Sequence, residues 1–143
     1  MVFSIGEVAD AMGLSVSTLR YYDREGMFPD MERSNGGIRV FSEREIAVLR
    51  VIECLKAAGM PIKAIRDFLD WCKEGDASRT KRCKLFHNRL EEVERQIERL
   101  QATRNTLRYK CWYYDTAVAA GTEDAVRNLP ENQIPEEIRE YRL

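Results

Sequence analysis

The chain has a single histidine, no glycine-rich phosphate loop and no convergent pair of acids. Together these absences remove the usual machinery of an enzyme. It also lacks an excess of charge of either sign: 23 basic residues stand against 24 acidic ones, for a net charge of −1. Residues 1–75 are no more basic, holding ten Lys/Arg against twelve Asp/Glu. Bulk charge therefore argues for no nucleic-acid partner, and any such case rests on motif and geometry. No apolar run reaches the length of a membrane span, and Met1-Val2-Phe3 leads straight into a polar-interrupted helix pattern. Neither a secretory leader nor a membrane anchor is expected. Cys54, Cys72, Cys83 and Cys111 lie inside helical patterns with no tight spacing. That excludes a disulfide framework and makes a reducing cytoplasm the expected compartment. There is no internal repeat and no low-complexity segment, and no cofactor is expected. At 143 residues the chain suits one compact domain plus an extension.

What is there begins with Ser4-Ile5-Gly6-Glu7-Val8-Ala9-Asp10-Ala11-Met12-Gly13. Ser4 and Glu7 have the spacing of a capping box, and Ile5, Val8, Ala9 and Met12 recur at helical spacing up to Gly13. After a short turn, Ser15 caps a second helix that ends at Gly26. Leu19 and Tyr22 share one side of it, so Tyr22 is expected to pack inward. Ser17, Thr18, Arg20, Tyr21 and Arg24 remain available to the outside. Hydroxyls, arginines and a tyrosine are the side chains that reach phosphates and base edges. The two helices make a helix-turn-helix, a pattern that any small helical hairpin also satisfies.

Residues 28–41 carry Asn35-Gly36-Gly37 between short apolar runs, a hairpin turn signal that predicts a two-stranded wing with Arg33 and Arg39 near its tip. Ser42, followed by Glu43 and Glu45, opens a third helix that runs to Gly59. Pro61 opens a fourth at its first position, which continues to about Gly75. From Ala77 to about Tyr114 there is neither glycine nor proline. Phe86, Leu90, Val93, Ile97, Leu100, Leu107 and Tyr114 recur there at alternating steps of three and four, with Cys83 and Cys111 in register and Arg104 the interruption. At 1.5 Å per residue this helix is roughly 55 Å long. It cannot bury such a stripe on a domain half its length, so a homodimer through a coiled coil is expected. The remainder, Thr116 to Leu143, suggests one short terminal helix near Pro135-Glu136-Glu137-Ile138.

Taken together the residues resemble a MerR-family transcriptional regulator over about residues 3–115. The resemblance is carried by Ser4-Ile5-Gly6-Glu7-Val8-Ala9, by Thr18-Leu19-Arg20-Tyr21-Tyr22-Asp23 with Gly26, by the Gly37-x-Arg39-x-Phe41 spacing and by Ala58-Gly59-Met60-Pro61-Ile62. It implies a mainly α fold: a winged helix-turn-helix over 1–75, an antiparallel coiled-coil dimerisation helix over 76–115 and a short carboxy-terminal segment over 116–143. It also implies double-stranded promoter DNA as partner, read as a pseudo-palindrome in successive major grooves. RNA polymerase would be served indirectly, by bending and untwisting of an overlong promoter spacer. Carried over by position, Ser4, Ser15, Ser17, Thr18, Arg20, Tyr21, Arg33, Arg39 and Lys63 are the expected DNA contacts.

Three sensing chemistries remain open. The string Val51-Ile52-Glu53-Cys54-Leu55-Lys56-Ala57-Ala58-Gly59-Met60 resembles the family branch that answers reactive aldehydes and other electrophiles through one cysteine. Thiolate attack would need Cys54 activated by nearby positive charge such as Lys56. The plainer role for Cys54 is that of a small buried hydrophobe. Cys83 and His87 are four apart on one face, and Cys111 lies about 42 Å further along the helix. They could converge on a metal only across an antiparallel dimer. Trp71, Tyr109, Trp112, Tyr113 and Tyr114, with Asp115, could wall an organic ligand or simply pack together.

Overall fold

The computed structural model describes residues 1–142, which form two units, Met1–Leu90 and the residues from Glu91 onward. The amino-terminal unit opens with β1 (Val2–Phe3) and α1 (Ile5–Met12). The Ser4 hydroxyl accepts from the Glu7 amide at 3.3 Å, while the Glu7 carboxylate accepts from the Ser4 amide at 2.7 Å. Both orphan donors at the helix entrance are thereby satisfied. Gly13 ends α1 in the left-handed region at φ 64°, which costs glycine no Cβ clash. Helix α2 (Val16–Arg24) follows, capped by the Ser15 hydroxyl on the Thr18 amide at 3.1 Å.

The sheet departs from expectation. Phe41 does not lie in a ladder with the first arm of the hairpin. Instead β2 (Phe41–Ser42) pairs antiparallel with β1, in the register Val2↔Ser42 and Phe3↔Phe41. The wing itself keeps a single bridge, Arg33↔Arg39. Its tip closes through the Ser34 amide on the Ile38 carbonyl at 2.7 Å and the Gly37 amide on Ser34 at 2.8 Å. An isolated ribbon so short gains too little cross-strand packing to extend its ladder. The apolar side chain of Phe41 gains more from the core, where it is 1 % exposed and meets Phe28 edge-on at 5.5 Å.

Helix α3 (Glu43–Ala57) starts from a second capping box, Ser42 with Glu45, and α4 (Ile62–Lys73) follows with Pro61 at its cap position, one residue before the expected place. Leu19, Tyr22, Met27, Phe41, Leu49, Ile52, Leu55 and Ile65 are all essentially inaccessible and form one core. Each such side chain contributes about 1.5–3 kcal/mol by leaving water. A 3₁₀ turn (Gly75–Ser78) joins α4 to α5 (Arg79–Ala120). Ser78 is fully buried there, donating to the Trp71 carbonyl and accepting from Arg82 Nε at 2.9 Å.

In the carboxy-terminal unit α5 runs to Ala120, beyond the expected stop, because Gly121 rather than Tyr114 breaks it. The tail is more ordered than a single short helix. It forms α6 (Asp124–Arg127), a 3₁₀ turn (Glu131–Gln133) and α7 (Glu136–Arg139). Ile134 and Ile138 cover Tyr109, which is 5 % exposed, with Trp112, Tyr113 and Tyr141 packed around them.

Candidate nucleic-acid interface

Helix α2 divides cleanly by face. Leu19 and Tyr22, three apart, are 0 % and 1 % exposed and fix the helix in the core. Ser17, Arg20, Tyr21 and Arg24 form one stripe, Ser17 lying three and four residues before Arg20 and Tyr21, and Arg24 four and three after them; all four are exposed. Among the described residues no carboxylate lies within ion-pair distance of Arg20 or Arg24, so both guanidinium groups stand free. Thr18 is half-buried, and the Ser15 hydroxyl lies 2.8 Å from the hydroxyls of both Ser17 and Thr18. This small hydroxyl cluster sits at the positive end of the helix, where backbone amides favour an anion. Ser4 and Lys63, at the starts of α1 and α4, are exposed as well.

Both wing arginines have partners within the chain. Arg39 is not a free cation: its guanidinium forms an ion pair with Asp23 in the last turn of α2. Arg33 is exposed, but its Nη1 donates to the Gly37 carbonyl at 3.1 Å and braces the hairpin. The pairing of Asp23 escaped the sequence reading. Its one signal was an acid in the last turn of a helix, where the dipole opposes it.

Tyr22 carries a second connection. Its hydroxyl donates to Glu53 Oε1 at 2.7 Å and accepts from Lys56 Nζ at 2.9 Å, tying α2 to α3. Burial pushes the Tyr22 phenol above its ordinary range, so the ring stays neutral while it bridges the two charges. Glu53 and Lys56 flank Cys54 in sequence, and Cys54 itself is exposed, not a buried hydrophobe. Lys56, one candidate source of positive charge for the thiol, donates to Tyr22, and that hydrogen bond raises its pKa.

Cys83, His87 and Cys111 are all exposed on α5, and no group of three metal-binding side chains comes together among the described residues. Of the expected aromatic wall, Tyr109, Trp112 and Tyr113 are occupied by the chain's own Ile134 and Ile138. Trp71 lies under Lys81, whose ammonium is 4.8 Å from the ring centre. Tyr109, Trp112 and Tyr113 pack on the tail, while Trp71 lines a cleft with Met60, Pro61, Ala64, Lys81 and Leu85. No helix among the described residues is long and apolar enough to cross a membrane.

A capped two-helix unit with one helix anchored by its back and cationic on its front defines a helix-turn-helix DNA-binding protein. Comparison with known families agrees. Residues 3–71 match the MerR HTH family regulatory protein model, and residues 46–109 match the MerR DNA-binding model. An HTH-type transcriptional regulator of Haemophilus influenzae is 38% identical over 136 residues, 95% of this chain and 98% of that one. The regulator AdhR of Bacillus subtilis is 35% identical over 95 residues, 66% of each chain. Among solved structures, HiNmlR, described as a MerR family regulator lacking the sensor domain and bound to promoter DNA, superposes with a TM-score of 0.84. Its identity is 36%, covering 91% of this chain and 98% of that one. A MerR family transcriptional regulator from Bacillus thuringiensis gives a TM-score of 0.72 at 37% identity, covering 78% of this chain and 97% of that one. The chain belongs to the MerR family. It is a DNA-binding transcriptional regulator and not an enzyme.

Proposed function

We propose that this regulator acts as a homodimer on a pseudo-palindromic promoter, each copy setting α2 into one of two successive major grooves. The observation that carries the reading is the exposed stripe of Ser17, Arg20, Tyr21 and Arg24 on a helix whose other face is immobilised by Leu19 and Tyr22. Rigid backing fixes which side chains reach the groove, and two unpaired arginines supply phosphate or base-edge contacts. The promoter complex of HiNmlR supports the choice of partner. The dimer bends and untwists the duplex, and contact energy offsets a deformation cost of several kcal/mol. RNA polymerase is engaged through the reshaped promoter. The cytoplasm is its place of action.

Cys54 is the sensor in this reading, and its exposure on α3 supports that role. Its thiolate adds to the carbonyl carbon of an aldehyde, the C=O π bond opens, and the oxygen takes a proton to give a hemithioacetal. The adduct would bear on α3 beside Glu53 and Lys56, the two residues that hold Tyr22 of the recognition helix.

Binding to a mixed pool of promoter fragments tests the first part: wild-type protein retains fragments, and Arg20→Ala loses them by about tenfold or more. A reporter driven by a retained fragment and challenged with aldehyde tests the second. Cys54→Ser abolishes the response; an unchanged response removes the thiol and turns attention to Cys83, His87 and Cys111.

A further inference from the structure

We propose that Asp23 is a positioning residue for DNA binding: by holding Arg39 it sets the angle between the wing and the recognition helix. The inference rests on the reading that α2 and the wing meet DNA together, and it gives a DNA-side role to an acid that should by charge alone oppose binding.

Asp23 is doubly misplaced unless it has a partner. It occupies the last turn of α2, where the macrodipole disfavours an anion. It also lies between Arg20 and Arg24 on the helix that approaches phosphates, where a carboxylate is repelled. Arg39 answers both. The ion pair is partly shielded from water, with Asp23 at 18% and Arg39 at 38% side-chain exposure. Shielding makes such a contact stronger than an open surface pair.

The wing needs that contact. Its base is clamped by buried Phe28 and Phe41, but every residue from Glu32 to Ile38 is exposed, and its shaft has one bridge. Among the described residues, the Asp23–Arg39 pair is the sole ion pair between this hairpin and α2. The pair grips the hairpin at the bridge residue itself, opposite Arg33. Arg33 in turn is braced on the Gly37 carbonyl at 3.1 Å. A pull on Arg39 therefore reaches the tip.

Charge and positioning predict opposite signs. Removing an anion from a DNA-binding face should tighten binding if electrostatics alone decides. If Asp23 positions the wing, Asp23→Asn weakens binding by about tenfold, because coupled neighbours lose their joint effect. The probe is a duplex selected from a randomised pool by the wild-type protein, and binding is measured over a salt series. Arg39→Gln gives a similar loss with an unchanged salt slope, and the double variant is no worse than the weaker single one. Reversing the pair, Asp23→Arg with Arg39→Asp, restores most of the affinity that Asp23→Arg alone removes, which guards against a simple folding defect; circular dichroism melts accompany each variant. Equal or tighter binding by Asp23→Asn overturns the proposal. So does a salt slope reduced by about 0.9 in Arg39→Gln, which would mean that Arg39 itself holds a phosphate. Arg20→Ala in the same assay separates the two levels. If it binds like wild type, the interface reading falls; if it fails while Asp23→Asn does not, only the positioning role falls.

Discussion

Tyr22 shows how one side chain can serve the core and the polar frame at once. Its ring fills a site that is 1 % exposed, and its hydroxyl joins Glu53 to Lys56. Tyr22→Phe keeps the ring and removes the bridge, leaving two charged groups to find water at the edge of a packed site. We expect a loss of about 1–3 kcal/mol in urea unfolding, with secondary structure retained by circular dichroism. A variant as stable as wild type would show that solvent satisfies Glu53 and Lys56 just as well. The inward turn of Tyr22 was readable from its three-residue spacing to Leu19. Its partners were not, because they stand 31 and 34 positions away and only packing of α2 on α3 brings them near.

The caps are where local sequence and element agree most closely. Ser4 with Glu7 and Ser42 with Glu45 have capping-box spacing, and both boxes form. Glu45 is the more consequential, since it is 8% exposed and accepts from the Ser42 amide at 2.8 Å and from the Ser42 hydroxyl. Burial raises its pKa, but the hydrogen bonds from Ser42 outweigh this and hold it below 4.5. A carboxyl depressed in the folded state stabilises above its unfolded pKa and loses that contribution as pH falls through the folded value. The melting temperature should therefore drop on acidification below about 4.5, and Glu45→Gln should flatten that limb. Ser42→Ala should cost about 1 kcal/mol at neutral pH, by urea titration. The wing reads the other way. Turn chemistry at Asn35-Gly36-Gly37 is local and formed as expected, but the strand pairing of Phe41 was decided by burial beside Phe28, which no short-range pattern reports.

For the molecule as a whole, α5 presents two apolar faces with different fates. Tyr109 and Tyr113 lie on one, covered by Ile134 and Ile138 of the tail. Ile97, Leu100 and Leu107 lie on the other, at 48%, 69% and 58% exposure. The tail closes one stripe and leaves the second in water, and the homodimer proposed above would bury that second stripe. With Leu100 so open in the single chain, Leu100→Glu should leave helix content and the fold of each unit unchanged. It should nonetheless convert a dimer to a monomer in light scattering at micromolar concentration and abolish retention of promoter fragments. A monomeric wild-type protein would contradict the dimer reading outright.

The sequence by itself determined the order of α1 to α5, the serine caps of the first three, the outward face of α2 and the long stripe of α5. Each of these depends on residues within a few positions of one another, where hydrogen-bond reach and helical period act directly. Tertiary structure alone decided that Arg39 belongs to Asp23, that Lys56 belongs to Tyr22 rather than to Cys54, and that the tail covers Tyr109. Those choices compare contacts distant in the chain, whose energies differ only once burial has fixed which groups can still reach water.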